Sequence, residues 1–168
     1  MVANIEIERK FLIKTQPDGV AERQLNIRQG YIAREGANTV RIRQQDEKYI
    51  LSIKTARKEG GRNELEYEIS SDEGQVLFAS LSHPAIVKTR HIYDIDGLIW
   101  EVDIFSGANQ GLIIAEVELT SIDQKIALPD WIGPEVTDLS KFYNANLAYA
   151  PFENWRINYA DLISRLAD

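Results

Sequence analysis

Several short stretches of this chain carry charge on every second residue. Glu6, Glu8 and Lys10 alternate with Ile5 and Ile7, with Phe11 following on the apolar side; Arg41 and Arg43 alternate with Val40 and Ile42. Lys54 with Ser52 stands opposite Tyr49, Leu51 and Ile53; Glu64, Glu66 and Glu68 stand opposite Leu65, Tyr67 and Ile69. Lys88 and Arg90 share one parity, Glu101 and Asp103 oppose Trp100, Val102 and Ile104, and Glu116 and Glu118 oppose Ala115, Val117 and Leu119. Side chains on a strand alternate faces with period two, so each stretch places its charges on one side and its apolar groups on the other. Clustered Arg and Lys suit a multiply anionic ligand, because Arg matches phosphate oxygens bidentately and Lys supplies a point charge. Carboxylates beside them would repel that ligand. A hard divalent cation resolves the conflict by bridging carboxylate and phosphate oxygens. The combination points to a metal–polyphosphate site and to phosphoryl or nucleotidyl transfer. No glycine-rich phosphate loop is present, so side chains must hold the phosphates.

The elements that position these residues are mostly strands. The alternation predicts eight of them: 4–14, 24–32, 39–45, 48–55, 63–70, 86–95, 98–105 and 112–121. Asp46-Glu47 and Asp96-Gly97 read as hairpin turns, and Arg57 to Gly61 as a loop. A helix is expected from Ser71, with a short helix over 122–128, another over 139–149 and an amphipathic closing helix over 153–166. Residues 129–134 read as irregular. The fold class expected is mainly β (α+β): an eight-stranded antiparallel closed barrel with a charged lumen and helices packed outside. The alternative is an ordinary antiparallel sheet with its charged face in water.

The 168 residues suit a single domain with a sizeable core. A net charge of −7 argues against non-specific nucleic-acid binding, which needs a basic surface. The chain has no cysteine, which excludes disulfides and thiolate chemistry and fits a cytoplasmic location. No apolar run is long enough to span a bilayer as a helix.

Taken in order, Glu6-Ile7-Glu8-Arg9-Lys10, Arg41-Ile42-Arg43, Lys54, Glu66-Tyr67-Glu68, Lys88-Thr89-Arg90, Glu101-Val102-Asp103 and Glu116-Val117-Glu118 resemble the CYTH superfamily, the triphosphate tunnel metalloenzymes. The resemblance runs from residue 4 to about 148. Ile27 to Tyr31 and the tail from Val136 are similar to the short bacterial inorganic triphosphatases, although Phe142 stands where tyrosine is common; the segment 150–168 lies beyond it. The resemblance implies an eight-stranded tunnel and Mg²⁺- or Mn²⁺-dependent hydrolysis of tripolyphosphate to pyrophosphate and phosphate. On that reading Glu6, Glu8, Glu116 and Glu118 hold metal, with Asp103 and Glu101 as further ligands or as their support. Lys10, Arg41, Arg43, Lys54, Lys88 and Arg90 bind phosphates. Tyr31, its hydroxyl lowered by Lys54, could be a base for water. Alternatives are a thiamine triphosphatase or class IV adenylyl cyclase on the same fold, or a non-catalytic polyphosphate-binding module. The closing helix is expected to pack or to form a homodimer surface.

Overall fold

The structure, a computed structural model, describes residues 4–56 and 62–167, with side chains described over 7–56 and 63–167. The loop expected at 57–61 and the Glu6 side chain lie outside the described residues.

The chain builds one antiparallel sheet. Its strands are β1 (Asn4–Glu6), β2 (Glu8–Ile13), β3 (Arg23–Glu35), β4 (Asn38–Gln45), β5 (Lys48–Ala56), β6 (Arg62–Ile69), β7 (Ile86–Ile95), β8 (Leu98–Ser106), β9 (Ile113–Glu118) and β10 (Ile132–Glu135). Their order is β1-β6-β5-β4-β3-β7-β8-β9-β2-β10 in a ten-stranded sheet. Asp96 and Gly97 both adopt positive φ, 54° and 79°, as the tight turn between β7 and β8 requires.

The closed eight-stranded barrel of the sequence reading is therefore corrected. The first strand changes partner at Ile7: β1 pairs with β6, whereas β2 pairs with β9 on one edge and β10 on the other. A strand has two hydrogen-bonding edges. Both edges of β2 are taken, so among the described residues no ladder returns from β6 to β2. The ring is completed only through the covalent link at Ile7. β10 occupies part of the stretch read as irregular, where Gly133 and Pro134 obscure any strand pattern.

Helix α1 (Ser71–Ala79) starts with a capping box between Ser70 and Glu73 and lies on the outer face. Gly74 allows the close approach: a Cβ there would stand 2.0 Å from the Tyr49 ring. The outer apolar face of β2, β8 and β9, including Phe11, Trp100, Val102, Ala115 and Val117, packs on Trp131 and Ile132. No helix forms over 122–128. The helix expected over 139–149 is a 3₁₀ turn at Ser140–Phe142 followed by α2 (Asn144–Leu147). The closing helix is also shorter than expected. A 3₁₀ turn at Phe152–Trp155 ends in a left-handed Arg156, φ 54°, and only then does α3 (Tyr159–Ala167) begin.

The second core is at one end of the inner face. Leu12, Ile86, Phe105 and Ile114 share the parity of Lys10, Lys88, Asp103 and Glu116, and they pack against Val136, Phe142, Leu147, Phe152 and Leu162. Helices thus cover the sheet's outside at α1 but seal one end of its interior at α3. The Tyr159 hydroxyl accepts from the Ile13 N–H (2.8 Å) and donates to the Ile113 carbonyl (2.9 Å), tying α3 to the ends of β2 and β9. Burial pushes that hydroxyl up to about 12. Among the described residues no helix is long and apolar enough to cross a membrane.

Candidate active site

The inward parity of the strands brings the charged residues to one cavity of about 360 Å³. Glu8 and Lys10 come from β2, Gln29 from β3, Arg41 and Arg43 from β4, Lys54 from β5, and Glu64 and Glu66 from β6. Lys88 and Arg90 come from β7, Glu101 from β8, and Glu116 and Glu118 from β9. Eight strands thus surround it although their ladder stays open. A second chamber of about 560 Å³ shares Glu8, Lys10, Arg41, Lys54 and Asn144 with the first. It adds Tyr31, Arg34, Thr137 and Tyr143, with apolar walls at Ile7, Leu119 and Ile122.

One wall is internally neutralised. Arg90 Nε donates to Asp103 (2.7 Å), its Nη2 donates to Asp103 (2.7 Å) and Glu116 (2.9 Å), and its Nη1 donates to Glu101. Lys88 pairs with Asp103, and Lys10 pairs with Glu116 and with Glu8 (2.8 Å). Burial alone would lower the Lys10 ammonium, but Glu116 and Glu8 outweigh it and raise it. Burial likewise would raise Glu116, but Lys10, Arg90 and Lys88 hold it far below the carboxylate range. Burial wins at two positions: Lys88 is lowered despite Asp103, and Glu101 is raised despite Arg90.

The opposite wall is less fully paired. Arg41 Nη2 donates to Glu64 (3.1 Å) and Arg43 Nη2 to Glu66 (2.7 Å), while Lys54 lies 3.4 Å from Glu64. Glu64 also lines the cavity. Burial and the neighbouring Arg41 charge lower the Arg43 guanidinium, which Glu66 only partly offsets. The Nε atoms of Arg41 and Arg43 and the Gln29 Nε2 are buried without a hydrogen-bond partner.

Two roles change. Asp103, read as a metal ligand, is 0 % exposed and spends both oxygens on Lys88 and Arg90. It is the counter-charge that holds those cations side by side. Tyr31 lines the outer chamber with Lys54, but its hydroxyl is raised, where lowering by Lys54 was expected. Burial raises it, and the opposing charges are Arg41, which hydrogen-bonds it, and Lys10. Gln29 went unnoticed as a wall residue because a neutral side chain gives no charge pattern; its parity with Tyr31 was the available signal.

The CYTH domain profile matches residues 4–146. The chain belongs to the CYTH domain family. It is 37% identical over 152 residues to the inorganic triphosphatase of Acetivibrio thermocellus, covering 90% of this chain and 97% of the relative. It is 38% identical over 149 residues to the inorganic triphosphatase of Nitrosomonas europaea, covering 85% and 96%. The crystal structure of the inorganic triphosphatase NE1496 superposes with a TM-score of 0.66 at 34% identity, covering 88% of this chain and 95% of that one.

Proposed function

We propose that this protein is an inorganic triphosphatase that hydrolyses tripolyphosphate to pyrophosphate and phosphate. The observation that carries the reading is the cavity into which Lys10, Arg41, Arg43, Lys54, Lys88 and Arg90 converge from four strands. Kinship with two inorganic triphosphatases narrows the anion to a triphosphate.

The carboxylates fit Mg²⁺ or Mn²⁺ in part. Glu8 and Glu118 face each other in the β2–β9 ladder and both line the cavity, offering hard oxygen donors. Glu116 adjoins them but is held by Lys10 and Arg90. Among the described residues no group of three or more such side chains is gathered into a metal site. Two or so carboxylates completed by substrate oxygens is the usual arrangement for Mg²⁺. Glu8 and Glu118, with Glu116, would hold the ion, and it would supply charge neutralisation on the phosphates.

In this mechanism the β4 and β7 arginines clamp the phosphate oxygens and stabilise charge that grows on them. Water attacks the terminal phosphorus in line, forming the new P–O bond as the bond to the bridging oxygen breaks and pyrophosphate leaves. Tyr31 takes the water's proton when its hydroxyl is ionised. The raised value of that hydroxyl places this activity at alkaline pH, because only the phenolate acts. The rate is expected to climb by up to about tenfold per pH unit through the alkaline range. Tyr31→Phe keeps the ring and should remove that climb with little change in KM. An unaltered pH–rate profile in the variant would return Tyr31 to a packing role.

Arg43→Ala is expected to raise KM for tripolyphosphate at least roughly tenfold, since a charge-assisted contact is worth about 1.5–3 kcal/mol. Steady-state kinetics check it; unchanged KM and kcat would remove Arg43 from the substrate contacts. The reading as a whole is tested by incubating the protein with Mg²⁺ and tripolyphosphate, ATP or thiamine triphosphate and identifying the products. The expected result is preferential release of phosphate and pyrophosphate from tripolyphosphate. Preference for an organic triphosphate would assign the half-apolar outer chamber to its organic group, and binding without turnover would make the protein a polyphosphate-binding module.

A further inference from the structure

We propose that Gln29 binds substrate directly, its side-chain amide donating a hydrogen bond to a phosphate oxygen in the lumen; the inference rests on the triphosphatase reading. Gln29 is 1% exposed, yet its Nε2 has no partner. Buried polar groups are almost always hydrogen-bonded, and a buried donor without a partner is costly. A glutamine kept for packing alone would be bonded to a neighbour or replaced by an apolar residue of similar length.

Its surroundings say what the donor is for. Gln29 stands directly opposite Arg43 in the β3–β4 ladder and lines the cavity. Arg41 Nε and Arg43 Nε, on the adjoining strand and lining the same cavity, are likewise buried without partners. All three are N–H donors, and a site short only of acceptors suits an anion. On the opposite wall the Arg90 donors are taken by Glu101, Asp103 and Glu116. Gln29 adds a donor without adding charge to a wall where Arg41 and Arg43 already repel each other. The terminal torsion of a glutamine is broad and soft, so its amide can turn to a ligand at little cost. Gly30 holds the strand in place behind it: a Cβ there would stand 2.3 Å from the Leu81 Cδ1, so β3 lies close against the chain that follows α1.

The test uses Gln29→Met, of similar length without a donor, and Gln29→Glu, which keeps the shape but puts a negative charge in place of the donor. Binding is read from the rise in melting temperature with sodium tripolyphosphate in EDTA, and KM from turnover with Mg²⁺. Gln29→Met is expected to raise KM at least about fivefold and to shrink the tripolyphosphate-induced rise. Its melting temperature without tripolyphosphate should be unchanged or higher, because no bond is lost; a packing role predicts the opposite sign. Gln29→Glu should raise KM further, since its carboxylate repels the phosphates. Normal KM and a normal rise in either variant overturn the assignment of Gln29 alone. If the wild type shows neither binding nor turnover of tripolyphosphate, the triphosphatase reading falls and this inference with it.

Discussion

Asp103→Ala is expected to cost roughly 3–5 kcal/mol of stability, the usual penalty for leaving a buried charge without its partner. For a domain of this size that is a fall of roughly 6–20 °C in Tm, measurable by circular dichroism. Lys88 is 3% exposed and its ammonium is already lowered by burial with Asp103 in place. Removing Asp103 leaves that ammonium beside the Arg90 guanidinium with no counter-charge at the position they share. The sign of the pH dependence follows. A lysine whose folded value lies below its unfolded one destabilises the fold at low pH, and the penalty lifts as pH rises towards the ordinary lysine value near 10.4. The Tm gap between wild type and variant should therefore narrow on going alkaline, though not close, because Arg90 stays charged. A variant as stable as wild type at neutral pH would show that Asp103 is not the counter-charge of this pair.

Glu118→Gln should act in the opposite way, abolishing turnover while sparing the fold. Glu118 is exposed and stands directly across the ladder from Glu8. Like charges directly opposite one another on a sheet are mildly destabilising, so Tm without metal should hold or rise slightly. Turnover at limiting Mg²⁺ should fall by at least about a hundredfold, since a directly ligating carboxylate ought to matter no less than the outer partners whose loss costs 10–100-fold. Kinetics across a Mg²⁺ series together with thermal melts test both halves. Full activity at limiting Mg²⁺ would remove Glu118 from the metal-holding set. The two variants are thus expected to separate cleanly, Asp103→Ala in stability and Glu118→Gln in turnover.

The faces of the strands could be read directly from the sequence, because alternation is a local property of an extended chain. That reading placed Lys10, Arg41, Arg43, Lys54, Lys88, Arg90, Glu8, Glu116 and Glu118 on the cavity side, where the structure has them. It also found α1, whose cap residues Ser70 and Glu73 are neighbours in the chain.

What the sequence could not supply was pairing, because partners are chosen across space. The switch of the first strand from β6 to β9 at Ile7, and the claim of β10 on the second edge of β2, leave the ladder open where a closed one was expected. The same limit applied to the site. Asp103 and Glu118 look alike in their strands, but only the fold surrounds one with Lys88 and Arg90 and leaves the other exposed opposite Glu8. Tyr31 is raised rather than lowered because burial depends on the packing around it, and its hydroxyl meets Arg41 where proximity to Lys54 had been expected. Alternation determined which side of each strand a charge would take. The neighbours that fix its ionisation, its partners and its part in the chemistry came only with the tertiary structure, because desolvation and Coulomb interactions depend on distance in space and not along the chain.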